Sequence, residues 1–249
     1  METIRDMDVV RATAARADVA TTDTDGVGVM DVRFSVFGAW YEIDSWFEGQ
    51  FMERVAKGAF TKTMRESRGS IKVLYDHGMD PSVGNKILGS IADLREEPAA
   101  ALGVVDLFDT SYVRDLLPGL RAGAYGSSFK FRVLRDEWAD EPGRSEHNPD
   151  GIPERTIKEV RLYEFGPVTF PASPSATAGV RGLTDSYYEQ VRTRTPRVYD
   201  DLQARVRAIR TPAEAGAASS LTSASAVEGH PQGMSPKQRR HSLYAFLRE

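Results

Sequence analysis

Four histidines and no cysteine leave imidazole, hydroxyl and carboxylate groups as the candidates for chemistry in this chain. The lack of cysteine removes thiol nucleophiles, disulfides and cysteine-bound zinc together. Histidine is the natural general base near neutral pH, because its unperturbed pKa lies there. His147 falls in the loop-like stretch 141–151, and His230 and His241 fall in the polar tail. Only His77, in the run YDHG at 75–78, directly follows a predicted strand. A lone histidine is also commonly structural, so a partner has to be found for it.

The run GSSFKFRV at 126–133 offers one. In a strand, alternate side chains share a face. Phe129, Phe131 and Val133 then point to the core, while Ser128, Lys130 and Arg132 share the opposite, outward face. Ser128 would stand at a strand start beside Gly126, where a nucleophile can meet substrate. Ser127 has the buried parity and is the weaker candidate. The structural alternative is that Ser128 merely begins a strand.

A third group comes from the run TIKEVRLYEFGPVTFPA at 156–172. Period-two counting puts Glu164 on one face with Val160 and Leu162. A carboxylate on an apolar face is costly unless a donor satisfies it. An imidazole N–H is a suitable donor, and a buried acid can hold a catalytic histidine in the right tautomer. A structural ion pair of Glu164 with Arg155 or Arg161 would satisfy it equally. Serine is a weak nucleophile until a positioned base takes its proton, which contributes about 10² to 10⁴ in rate. Ser128, His77 and Glu164 are therefore a sensible group, although spacing by itself does not make them a triad.

The elements that must position these groups separate by composition. Residues 1–28 are polar and rich in Ala, Thr and Asp, and read as a flexible arm. Residues 29–180 carry short strand-like runs at 32–36, 71–75, 87–94, 102–108, 128–134 and 156–163. Short helices are predicted over 58–67, with Phe60 and Met64 one turn apart, and over 109–120, stopping near Pro118 and Gly119. Many strands with few helices indicate a mainly β, α+β fold, a barrel or sandwich bearing helices. Residues 181–210 read as a helical extension interrupted at Pro196. Residues 211–233 are too poor in large apolar side chains to offset their ordering entropy, and the chain ends in a short basic amphipathic segment at 234–249. The net charge of −4 gives no global basic field to recruit nucleic acid. No run approaches the roughly 18 apolar residues of a membrane span, and the expected setting is cytoplasmic.

Several segments together resemble the prohead (head maturation) proteases of tailed phages. ERVAKGAF at 53–60 is similar to their "pGAF" segment, and VLYDHG at 73–78 followed by ILG at 87–89 is similar to their histidine motif. SSFKFRV at 127–133 resembles the serine strand, and LYEFGPVTFPA at 162–172 resembles the closing "LxExSxVxxPAN" signature. The resemblance covers about 34–178 and implies a herpesvirus-assemblin-like β-barrel surrounded by short helices. It also implies a serine endopeptidase with Ser128 as nucleophile, His77 as general base and Glu164 as the orienting acid, using no cofactor or metal. The implied substrates are the scaffolding protein or a scaffold-like extension of the major capsid protein, and the enzyme itself, inside the procapsid in the host cytoplasm. The relation to assemblin adds a homodimer by analogy, with no direct nucleic-acid or membrane partner. Two positions depart from the family pattern: Lys130 stands where glycine is frequent, and Ser173 where asparagine is usual.

Two other readings compete. A non-catalytic capsid-assembly scaffold or binding protein of the same fold would suit the long polar tail, in which residues 234–249 would dock to the capsid interior until self-cleavage within 181–233 released the enzyme. A metal-dependent hydrolase would use Asp76, His77 and Asp80, but that cluster lacks a second histidine at ligand spacing.

Overall fold

Alternation of apolar and polar side chains builds most of the sheet. In β2 (Val29–Val36) Met30, Val32 and Phe34 are fully buried on one face. The computed structural model describes residues 8–20, 27–45, 48–169, 183–194, 196 and 199. All of them lie in one unit, Met1–Arg210. The other strands are β1 (Asp8–Ala20), β3 (Tyr41–Ser45), β4 (Gly49–Val55), β5 (Lys72–Val73), β6 (Gly89–Glu96), β7 (Ala100–Leu107), β8 (Gly126–Ala139) and β9 (Glu154–Val168). Helices α1 (Thr61–Ser67), α2 (Ser111–Arg121) and α3 (Leu183–Arg194) accompany them.

The strands follow the order β3-β4-β9-β8-β1-β2-β7-β6, with β5 added beside β9. Most neighbours are antiparallel, but β4 and β5 both run parallel to β9. The path has two ends, at β3 and β6, so the protein is a mixed α+β structure with an open sheet. The closed barrel expected from the sequence does not form among the described residues. No helix among them is long and apolar enough to cross a membrane.

The core is aromatic. Phe34 stacks on Phe165 with ring centroids 4.8 Å apart and meets Phe60 edge-on at 5.4 Å. Phe129 stacks on Phe131 at 4.8 Å. Gly103 belongs to this arrangement, because a Cβ there would lie 2.3 Å from the Phe165 ring. Helix α2 closes one side with Val113, Leu116, Leu117 and Leu120, an i, i+3, i+4, i+7 stripe. The helix spans Pro118 and ends at Arg121, just past the expected stop near Pro118 and Gly119.

Residues 1–28 were expected to form a flexible arm, and Asp8–Ala20 do not. They form β1 between β8 and β2, in two halves: Asp8–Thr13 pair with β8, and Ala17–Ala20 pair with β2, with a register break between Thr13 and Arg16. Periodicity could not reveal this strand, since its order depends on backbone partners along both edges and on one buried cation.

That cation is Arg11. Its Nε donates to Glu53 Oε1 at 2.6 Å, and its terminal nitrogens donate to Glu48 at 2.9 and 2.7 Å. Tyr41 donates to Glu53 Oε1 at 2.8 Å. Arg155 continues the network, donating to Glu53 Oε2 at 3.2 Å and to Asp136 Oδ2 at 2.9 Å. Burial would push the Glu53 carboxyl up, but the two guanidinium groups outweigh it and hold the group below its ordinary value. The network ties β1 to β4, β8 and β9.

Candidate active site

The site is assembled on one face of β8 and β9. Ser128 pairs with Gly166 and Lys130 with Glu164, and directly paired residues point to the same side. Glu164 reaches that face through an irregularity. Phe131 pairs with Leu162 and Lys130 with Glu164, so Tyr163 is an extra residue, a β-bulge that reverses the parity of everything after it. The expectation that Glu164 shares a face with Val160 and Leu162 is therefore corrected. Those two belong to the core with Phe131, whereas Glu164 lies on the Ser128 face. Helix α1 supports the bulged strand: Leu162 N donates to Thr63 Oγ1 at 3.1 Å, and Val160 N donates to the Ala59 carbonyl at 3.0 Å.

β5 brings the histidine. Lys72 and Val73 pair with Glu164 and Phe165, and Leu74 N donates to the Phe165 carbonyl at 3.1 Å. The chain then leaves the sheet plane over Gly166, where a Cβ would sit 1.8 Å from the Leu74 oxygen. Any side chain at 166 would block this path. The next residues form a tight 3₁₀ turn with Asp76 at φ 46° and His77 at φ 57°. Left-handed backbone at two successive non-glycine residues costs of order 1–3 kcal/mol each and persists only where its surroundings enforce it. Here the turn packs against β8 and β9.

The outcome is a short buried hydrogen bond, 2.6 Å, between His77 Nδ1 and Glu164 Oε1. Their side chains are 8% and 4% exposed. With the carboxylate accepting, Nδ1 carries a proton, and in the neutral imidazole Nε2 then holds a lone pair. Nε2 is buried and has no hydrogen-bond partner, and the same is true of Glu164 Oε2. Such a pair is the arrangement a general base needs. The ion pairs considered from sequence go elsewhere: Arg155 binds Glu53 and Asp136, and Arg161 is exposed.

Ser128 does not face solvent as strand parity led us to expect. It is fully buried, and its hydroxyl donates to the Arg11 carbonyl at 2.7 Å. The outward face exists, since Lys130 and Arg132 are only partly buried, but its end at Ser128 is closed to solvent. Ser127, on the other face as expected, donates to the Arg33 carbonyl at 2.6 Å. Lys130 donates to the Tyr187 hydroxyl of α3 at 3.3 Å and lies over that ring at 5.2 Å. Burial opposes its charge, but the Tyr187 hydroxyl and the Glu164 carboxylate raise its pKa above the ordinary lysine value. Helix α3 is held in turn by Ser45, which donates to Asp185 Oδ1 at 2.7 Å, and by the Tyr188 hydroxyl, which donates to the Asp8 carbonyl.

The remaining candidates lie outside this constellation. His147 stacks on Trp40 and contacts Glu154 in a distant loop. Asp80 Oδ1 accepts from Ser82 N, Ser82 Oγ and Val83 N, so it caps its own turn. Burial raises the Asp76 pKa, partly offset by His77. No group of three His, Cys, Asp or Glu suited to a metal occurs among the described residues. His230, His241, Ser173 and residues 211–249 lie outside the described residues. Arg11, Gly166 and Tyr187 were missed from sequence, and only the glycine, inside an otherwise continuous strand pattern, carried a signal of close backbone approach.

On this open, mainly β scaffold Ser128 and Glu164 share one face of β8 and β9, and His77 is bonded to Glu164. The sequence profile of the caudovirus prohead serine proteases matches residues 16–190, and the chain belongs to that family. It is thus a serine protease of phage capsid maturation. Among solved structures it is similar to the bacteriophage T4 capsid assembly protease, gp21, at 11% identity and a TM-score of 0.41, covering 66% of this chain and 98% of that one. No curated protein sequence matches.

Proposed function

We propose that Ser128, His77 and Glu164 form the catalytic group of an endopeptidase that cleaves the scaffolding protein, or a scaffold-like extension of the major capsid protein, and also its own chain. The observation that supports this most directly is the buried 2.6 Å contact between His77 Nδ1 and Glu164 Oε1, which leaves Nε2 as a basic nitrogen without a partner. In the reaction, the Ser128 hydroxyl turns from the Arg11 carbonyl to His77 Nε2. Oγ adds to the scissile carbonyl carbon as its proton passes to Nε2. That proton then goes to the leaving amine, and the acyl-enzyme is released by water activated in the same way. Glu164 orients the imidazole and stabilises its charged form.

The test is co-expression with the capsid and scaffolding proteins of the same phage, comparing wild type with Ser128→Ala. Cleavage that disappears in the variant and is indifferent to chelators is expected. Cleavage that survives the substitution sinks the serine mechanism. Absence of cleavage in both proteins favours a scaffold role instead.

A further inference from the structure

An extended peptide can be bound by adding it as a strand to a sheet edge, with side-chain pockets supplying specificity. In this protein the edge of β8 beside Ser128 is already taken by the chain's own residues. Val10 pairs with Lys130, Arg11 with Phe129 and Ala12 with Ser128. The backbone oxygen of Arg11 receives the Ser128 hydroxyl at 2.7 Å, while His77 Nε2 has no partner. The Arg11 side chain fills an acidic pocket made by Glu48, Glu53 and the Tyr41 hydroxyl, with bonds of 2.6 to 3.2 Å and only 3% exposure.

Two features distinguish Asp8–Thr13 from the rest of the sheet. The register with β8 breaks after Thr13 and resumes only at Arg16 with Gly126, while the pairing with β2 is confined to Ala17–Ala20. The family match also begins at residue 16, downstream of the break. The segment against the serine thus precedes the residues that the family profile matches.

We propose that the β8 edge and the Glu48–Glu53–Tyr41 pocket form a binding site for an extended peptide bearing arginine, and that Asp8–Thr13 occupy it in cis. This rests on Ser128 being the nucleophile. Arginine suits the pocket because its planar guanidinium donates to two carboxylates at once, which a lysine ammonium does in a less directed way. The occupied form is a latent one. The serine proton is committed to the Arg11 carbonyl, so the hydroxyl engages His77 only after the segment leaves, and the incoming substrate strand inherits the same edge and pocket. Helix α3 reinforces the latent form, since Tyr188 donates to the Asp8 carbonyl.

The test uses the full chain carrying Ser128→Ala, so that nothing is hydrolysed, with amide exchange read by mass spectrometry. A synthetic peptide Asp-Val-Val-Arg-Ala-Thr is added in excess, or the same peptide with alanine in place of arginine. The arginyl peptide is expected to speed exchange of residues 8–13 at least ten-fold, leaving residues 17–20 and β9 unchanged. The alanyl peptide is expected to have no effect. Glu48→Gln should speed exchange of residues 8–13 without any peptide and reduce the effect of the arginyl peptide at least ten-fold. If residues 8–13 open only together with β8 and β9, the segment is an integral strand and the proposal falls. Equal displacement by both peptides removes the arginine pocket. Neither readout involves hydrolysis, so these outcomes are separate from the cleavage test of Ser128.

Discussion

Replacing Glu164 with glutamine isolates the contribution of one buried charge. Glutamine keeps the size of the side chain and an oxygen able to accept from His77 Nδ1, so the ring stays in place and only the charge is lost. The contact is 2.6 Å long and both side chains are more than nine-tenths buried. With an effective dielectric constant of about 20 and charge centres about 4 Å apart, an imidazolium–carboxylate pair is worth about 4 kcal/mol. In the proposed mechanism the imidazole gains its proton on the way to the transition state, so most of that energy acts on the barrier. At 1.36 kcal/mol per ten-fold, kcat should fall roughly 10³-fold, with KM little changed. The assay is steady-state cleavage of a peptide spanning a processing site, with circular dichroism and thermal melting to establish that the variant is folded. A folded Glu164→Gln enzyme within ten-fold of wild-type kcat would refute the orienting role and leave the His77–Glu164 bond a structural one.

Gly166→Ala is expected to disturb stability and activity together, because the new Cβ would stand 1.8 Å from the Leu74 oxygen and push the His77 turn away. A loss of about 1–3 kcal/mol in urea unfolding is expected from such overpacking, together with a fall in kcat. Phe34→Ala should cost about 3–5 kcal/mol in the same assay, since the ring meets Phe60, Phe129 and Phe165 in the core, and the midpoint should move with little change in m-value. The Glu53 carboxyl is held below its ordinary value in the folded state, so the unfolded chain binds the proton more readily. Its contribution is full above about 4.5, the ordinary value, and is lost as pH falls through the lower folded value. Stability measured by urea titration should therefore decline in that acid range, and Glu53→Gln should flatten the decline while lowering stability at neutral pH by about 3–5 kcal/mol through the charges it strands.

The latent arrangement has a consequence for timing. A protease active inside an assembling shell benefits from an inactive form before assembly, and a segment that must leave the β8 edge supplies one without any covalent change. The segment's anchor is ionic and buried, so its release depends on desolvated contacts and is only weakly sensitive to bulk salt.

What the sequence determined by itself was the local and periodic part of this protein. The apolar alternation of Val32, Phe34, Phe129 and Phe131 marked core strands, the opposite parity of Ser127 and Ser128 was readable, and the absence of cysteine limited the chemistry. The ordered motifs around His77, Ser128 and Glu164 were enough to suggest the family. Tertiary structure decided the rest. The extra residue at Tyr163 moved Glu164 off the apolar face, and no period-two count can register an insertion that exists only relative to a neighbouring strand. The crossing over Gly166 and the left-handed turn at Asp76 and His77 were set by backbone packing far along the chain. β1 was invisible because its residues are polar and alanine-rich, and its order comes from partners more than a hundred residues away at Ser128 and Phe129 and from a cation buried among carboxylates of other strands. Side-chain type and spacing are properties of the chain, whereas register, coverage and the partner of a buried charge exist only once distant segments meet.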